Sequence, residues 1–253
     1  MAFCYDPRVR IIDPETPGRE QADGSFFLSL TRETRFLFVR HGQSEGNAAK
    51  IVQGHLDLPL DPLGRAQAEA LAAWIADQGP SVLVASPLAR AAETASIIAS
   101  GCRRAGAELP DPRLDPLFSE LDVGSFTGLG LDESRERFPA AYAAFRRLSW
   151  DGVPGAETSA ALYQRALAAW ASLRAEALRG ASRIVVVSHG GFIQWLIKTT
   201  MGLRSWMPLV KTSNCGVSEL VVTPQEAGEE PLLVWDRIDF TVPGVATSAP
   251  PLF

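Results

Sequence analysis

Arg35-Phe-Leu-Phe-Val-Arg-His-Gly42 and Arg183-Ile-Val-Val-Val-Ser-His-Gly190 are the two stretches that decide how this chain folds. Both are nearly unbroken apolar runs, as strands buried on both faces of a sheet should be, and both end in His-Gly. A shorter run of the same kind, Val82 to Ala85, lies between them. Each is followed by a helical pattern. The first starts at Pro62, capped by Asp61, with Leu63, Ala66, Ala70, Leu71, Trp74 and Ile75 on one stripe and Gly79-Pro80 as its stop. The second starts at Pro87, with Ser86 as the cap, and the third follows Gly190. Strand and helix in alternation predict βαβ units, so the expected fold is a three-layer α/β/α sandwich with a mostly parallel central sheet.

Outward from these runs, 158–178 reads as a long helix, and 217–223 and 232–238 as two closing strands paired at an edge. The glycine-rich stretch 124–130 reads as a loop. No Gly/Ser-rich or Pro-rich linker divides residues 34–242, which are read as one domain. Residues 1–33 form an N-terminal extension, and 243–253 a Pro/Ala/Ser tail.

The 253 residues carry 24 Lys plus Arg against 29 Asp plus Glu, a net charge of −5. A chain of this length buries roughly 70–75% of its unfolded surface and needs no disulfide to hold a core. Without a basic run or face, nucleic acid is not an expected partner. No apolar run approaches the length of a membrane span, so no membrane association is expected either. The N-terminus has acids and prolines where a secretory leader has a basic and then an apolar region. Cys4, Cys102 and Cys215 are odd in number and far apart, which suits reduced thiols. A cytoplasmic protein is the expectation.

Of three histidines, His41 and His189 stand directly after predicted central strands. In an open parallel sheet the carboxyl ends of the strands form the ligand crevice, so the two imidazoles are expected to share a pocket. Arg40 precedes His41, and Arg90 lies just inside the helix after the second strand. A guanidinium matches phosphate oxygens with planar, bidentate donors, so this company points to a phosphoryl group. A metal site would need further ligands, and neither His-Gly segment has a neighbouring Asp, Glu or His at ligand spacing, so no metal is expected. No phosphate-binding loop or dinucleotide fingerprint is present, and no cofactor is expected.

Six ordered blocks extend this pattern. They are Arg40-His41-Gly42 continued to Asn47, then 53–60 with His55, then Ser86-Pro87-Leu88-Ala89-Arg90-Ala91 with Thr94. Leu117-Phe118-Ser119-Glu120 with Gly124 and Gly128, Pro154-Gly155-Ala156-Glu157, and Ser188-His189-Gly190-Gly191 complete the series. Together they resemble the histidine phosphatase superfamily, the phosphoglycerate mutase-like group, from about Thr34 to Ser218. The resemblance implies that His41 is a nucleophile that becomes phosphohistidine. It makes Arg40, Arg90 and His189 binders of the phosphoryl oxygens, with Asn47 assisting and Glu120 as acid and base. The substrate implied is a small-molecule phosphate ester.

Three features qualify the likeness. Ala156 replaces a glycine often found there, His55 fits either the leaving-group side of the pocket or a surface loop, and residues 1–33 lie outside the shared region. Hydrolysis is the favoured chemistry, because the 69 positions from Glu120 to His189 are largely taken up by a helix at 139–148, a turn and the long helix, leaving little room for the lid of a mutase. A mutase is the alternative, followed by a catalytically silent binding module, which would be expected to have lost one of these side chains. Exposed strand edges and the N-terminal extension each offer a surface for a homodimer.

Overall fold

In a computed structural model, which describes residues 21–206, 209–226 and 228–245, the first apolar run is strand β1 (Thr34–Arg40). It is followed by the single turn α1 (Glu45–Ala48), by α2 (Pro62–Asp77) and by β2 (Val82–Ala85). Next come α3 (Ala89–Arg104), the two-residue strand β3 (Arg113–Leu114), α4 (Leu131–Arg137) and α5 (Pro139–Leu148). The long helix α6 (Ser159–Leu178), β4 (Arg183–Ser188), α7 (Gly190–Thr200), β5 (Val217–Thr223) and β6 (Leu232–Phe240) complete the order.

The strands form one sheet in the order β3-β2-β4-β1-β5-β6. The first four are mutually parallel, β5 runs antiparallel to β1, and β6 antiparallel to β5. This is the mostly parallel α/β sheet expected, closed at one side by the antiparallel pair. Alternate residues of the central strands enter opposite cores. Phe36, Phe38, Ile184 and Val186 pack under α6 and α7, while Leu37, Val39, Val185 and Val187 pack under α2 and α3. That two-residue period places helices on both faces.

The first core centres on Trp170, whose ring meets Phe27, Phe36 and Phe38 edge-on at 5.2–5.5 Å. Its indole N–H donates to the Leu196 carbonyl at 3.0 Å, so the one polar atom of this side chain is satisfied. Replacing it with alanine should cost about 3–5 kcal/mol. Phe27 belongs to the N-terminal extension, of which residues 1–20, Cys4 among them, lie outside the described residues. Ala22, Phe26, Phe27 and Leu30 are buried in this core, and Arg174 of α6 donates to the Phe26 carbonyl at 2.7 Å. The described start of the tail contributes Val245 to the second core, and residues 246–253 lie outside the described residues.

One local expectation is corrected. Helix α3 begins at Ala89, two residues later than the Ser86-Pro87 reading: Leu88 occupies the cap position without a side-chain bond, and the Ser86 hydroxyl accepts the Leu88 amide in a tight turn before the helix. Within the 124–130 loop, Gly124–Phe126 forms a 3-10 turn, and α4 follows it directly. Where expected, α2 is capped by Asp61, whose side chain accepts the Gly64 amide at 2.7 Å. No described helix is long and apolar enough to cross a membrane.

Candidate active site

Strands β1 and β4 are neighbours, and Arg40 pairs with Ser188 in their register. The next residue on each strand is therefore a histidine at the same level, and the His41 and His189 rings lie 5.1 Å apart, centre to centre. Both are buried at the carboxyl ends of the central strands, where the sequence placed them.

The ring of His41 is oriented by its own turn. Its Nδ1 lies 2.7 Å from the Gly42 carbonyl, which can only accept, so Nδ1 carries the proton and Nε2 keeps its lone pair. His189 Nε2 lies 2.8 Å from the Ser86 hydroxyl, and its Nδ1 is buried without a protein partner. Burial, and then the nearby Arg90 and Arg40 charges, hold His41 well below the ordinary histidine range. Burial, then Arg90, His41, Arg40 and His55, do the same for His189. Two neutral imidazoles thus face two cations.

Both arginines are buried and held by main-chain carbonyls. Arg40 Nη1 donates to Thr212 O at 2.6 Å, and Arg90 donates through Nη2 to Gly54 O at 2.8 Å and through Nη1 to Leu56 O at 3.1 Å. The Nε–H of each is buried without a partner. Burial lowers both from the usual arginine value, Arg90 to about 10, and a guanidinium is a cation at neutral pH. The pocket holds unmet donors and positive charge, a setting for a doubly charged oxyanion.

Glu120 is buried against the N-terminus of α7. Its Oε1 accepts the Leu121 and Phe192 amides, each at 3.0 Å, and its Oε2 accepts the Gly191 amide at 3.2 Å. A Cβ at Gly191 would stand 2.7 Å from Glu120 Oε1 and collide with the Leu121 side chain, so one of these side chains would have to move to admit it. Asn47, half-buried, has its Oδ1 occupied by the Ser44 amide and hydroxyl and by Asn214 Nδ2, which leaves its own amide group as the donor. His55 is exposed, and its Nε2–H donates to the Glu120 carbonyl at 2.7 Å, so it stands at the rim of the pocket. Among the described residues, no three His, Cys, Asp or Glu side chains are grouped to hold a metal ion.

Other contacts of the site were not read from the sequence. Asn214 donates to the His41 carbonyl at 3.0 Å, and the Cys215 amide donates to the Arg40 carbonyl at 3.0 Å, so the segment before β5 clamps the end of β1. Thr94 accepts the Gly42 amide at 3.1 Å and donates to Arg90 O at 2.7 Å. Ser86 had a usable signal: it follows β2 as His189 follows β4.

Residues 36–232 match the family described as Histidine phosphatase superfamily (branch 1). The chain belongs to that family. The chain is 33% identical over 215 residues to a 2-carboxy-D-arabinitol-1-phosphatase of Triticum aestivum, an alignment covering 84% of the chain but 42% of the wheat protein. It is 33% identical over 190 residues to a probable phosphoglycerate mutase of Proteus mirabilis, covering 72% of the chain and 82% of that protein. Among solved structures, a mycobacterial glucosyl-3-phosphoglycerate phosphatase complexed with VO3 superposes with a TM-score of 0.68 at 28% identity, covering 81% of this chain and 99% of that one. A second, titled mycobacterial hydrolase 2, gives 0.70 at 27% identity, with 83% and 92% covered.

Proposed function

We propose that this histidine phosphatase is a metal-independent phosphomonoesterase of the cytoplasm that hydrolyses a small phosphate ester through phosphohistidine. The observation that carries the reading is the His41 orientation: Nδ1–H is fixed on Gly42 O, and the remaining lone pair stands among His189, Arg40 and Arg90.

In the first step His41 Nε2 attacks phosphorus and the ester P–O bond breaks. Arg40 and Arg90 stabilise the equatorial oxygens through their open N–H groups, the electrostatic role central to phosphoryl transfer. When the Ser86 hydroxyl donates to His189 Nε2, the His189 proton sits on Nδ1 and adds a neutral donor. Glu120 gives its proton to the leaving oxygen, with Oε2, the carboxyl oxygen bound to fewer amides, as the atom that carries it. The phosphorylated imidazole is cationic, and its Nδ1–H remains on Gly42 O. Water then attacks phosphorus, Glu120 takes the water proton, the P–N bond breaks and inorganic phosphate leaves.

The test is rapid alkali-quench labelling with a radioactive phosphate ester, run with and without EDTA. Wild type should trap an acid-labile, base-stable phosphoprotein and release phosphate in both conditions, and His41→Ala should do neither. Equal labelling of the two proteins would reject His41. Interconversion of phosphoglycerates faster than release of phosphate would put the mutase in place of the phosphatase.

A further inference from the structure

The supports of Glu120 converge on one guanidinium outside the phosphoryl pocket. Arg165, buried on α6, donates through Nη1 to the Leu117 carbonyl at 2.9 Å and the Ser119 carbonyl at 2.8 Å, and its Nη2 lies 3.5 Å from the carbonyl of Glu120 itself. The flat face of the same group lies 4.0 Å from the centre of the Phe192 ring, and Phe192 is the residue whose amide donates to Glu120 Oε1. One side chain therefore grips both the backbone that carries the carboxyl and the helix turn that receives it.

Glu157 fixes that guanidinium. Its two oxygens take Arg165 Nε at 2.8 Å and Nη2 at 2.7 Å, a bidentate pair. Its own amide donates to Asp122 O at 2.9 Å, and Ala156 bridges Val123, so the Gly155-Ala156-Glu157 turn is sewn to the chain just after Glu120. Lysine cannot reproduce these contacts, because it lacks the planar fork and the stacking face.

We infer that Arg165, oriented by Glu157, is the positioning residue for Glu120 and sets how efficiently the leaving oxygen is protonated. This rests on the reading of Glu120 as the proton donor. A displacement of about 1 Å at a reacting group can cost about 100-fold in rate. The loss should fall only on esters whose leaving group needs a proton.

The experiment compares kcat/KM for p-nitrophenyl phosphate and for the alkyl phosphate that wild type hydrolyses fastest, in Arg165→Lys, Glu157→Gln, Glu120→Gln and the Arg165→Lys/Glu120→Gln double variant. Arg165→Lys should lower the alkyl ester by about 10- to 100-fold and the nitrophenyl ester by less than about threefold. It should add nothing on the alkyl ester once Glu120 is Gln. Glu157→Gln should repeat the pattern more weakly, and it carries the test if thermal unfolding shows that Arg165→Lys does not fold. Equal losses on both esters, or the same loss in the Glu120→Gln background, would make Arg165 a structural residue only. Glu120→Gln alone reports on the underlying reading: equal losses on both esters there would remove Glu120 as donor, and the inference with it.

Discussion

Asp57 Oδ1 accepts the Ala89 amide at 2.6 Å, so the acid that closes the His55 loop also caps the helix carrying Arg90. The bond replaces the side-chain cap that Leu88 cannot supply. It works with Arg90, which holds Gly54 O and Leu56 O, to stitch loop and helix together from both sides.

Asp57→Ala should therefore destabilise the protein by about 1 kcal/mol, the usual cost of a lost N-terminal cap. It should also raise KM, because the loop that braces Arg90 is released. Urea unfolding and steady-state kinetics check the two effects. An unchanged unfolding midpoint would show that water serves the Ala89 amide equally well.

Orthovanadate should inhibit competitively, since its oxygens can take the open donors of Arg40 and Arg90. Arg90→Ala should weaken inhibition by about 10- to 100-fold, the size expected for lost charge-assisted hydrogen bonds. Inhibition constants for wild type and variant, measured after dialysis against EDTA, decide the matter. Equal constants would place the anion elsewhere.

Stability should fall on the acid side. His41 and His189 have native values well below the ordinary range, whereas an unfolded histidine takes up its proton near pH 6.5. Below that pH the unfolded chain binds more protons than the native one, so stability is lost as pH falls from about 6.5 toward the depressed native values. The limiting slope is about 1.4 kcal/mol per pH unit for each histidine. Chemical unfolding between pH 4.5 and 7 should give a shallower curve for His189→Gln than for wild type, and parallel curves would count against a neutral His189.

Gly191→Ala should push the Glu120 carboxyl off the start of α7, because the new methyl needs the space of Oε1 and of Leu121. The expected result is a fall in kcat/KM on alkyl phosphates of about 100-fold or more, with a smaller fall on p-nitrophenyl phosphate. Full activity would mean that the helix N-terminus is not what holds Glu120.

The sheet and the two imidazoles were legible because the signals are local. Each central strand is an unbroken apolar run, and each histidine follows its strand directly. What the sequence hid depends on register and on loop paths. Asn214 reaches the His41 carbonyl only because β5 pairs antiparallel with β1, a pairing no periodicity announces. Ser86 was read as a helix cap by the general preference of serine for that position, yet the structure uses its hydroxyl on the Leu88 amide and beside His189. Glu157, read in the Pro154-Gly155-Ala156-Glu157 block without a partner, is committed to Arg165.

The burial of Phe26 and Phe27 against Trp170 and Phe36 separates two borders that are easily taken as one. The family match begins at residue 36, whereas the packed aromatic core already takes in Ala22, Phe26, Phe27 and Leu30. A chain trimmed to the start of that match would leave one face of its aromatic core open to water, and sticky, while keeping every residue of the catalytic pocket. Such a protein could be chemically complete and still fail to stay in solution.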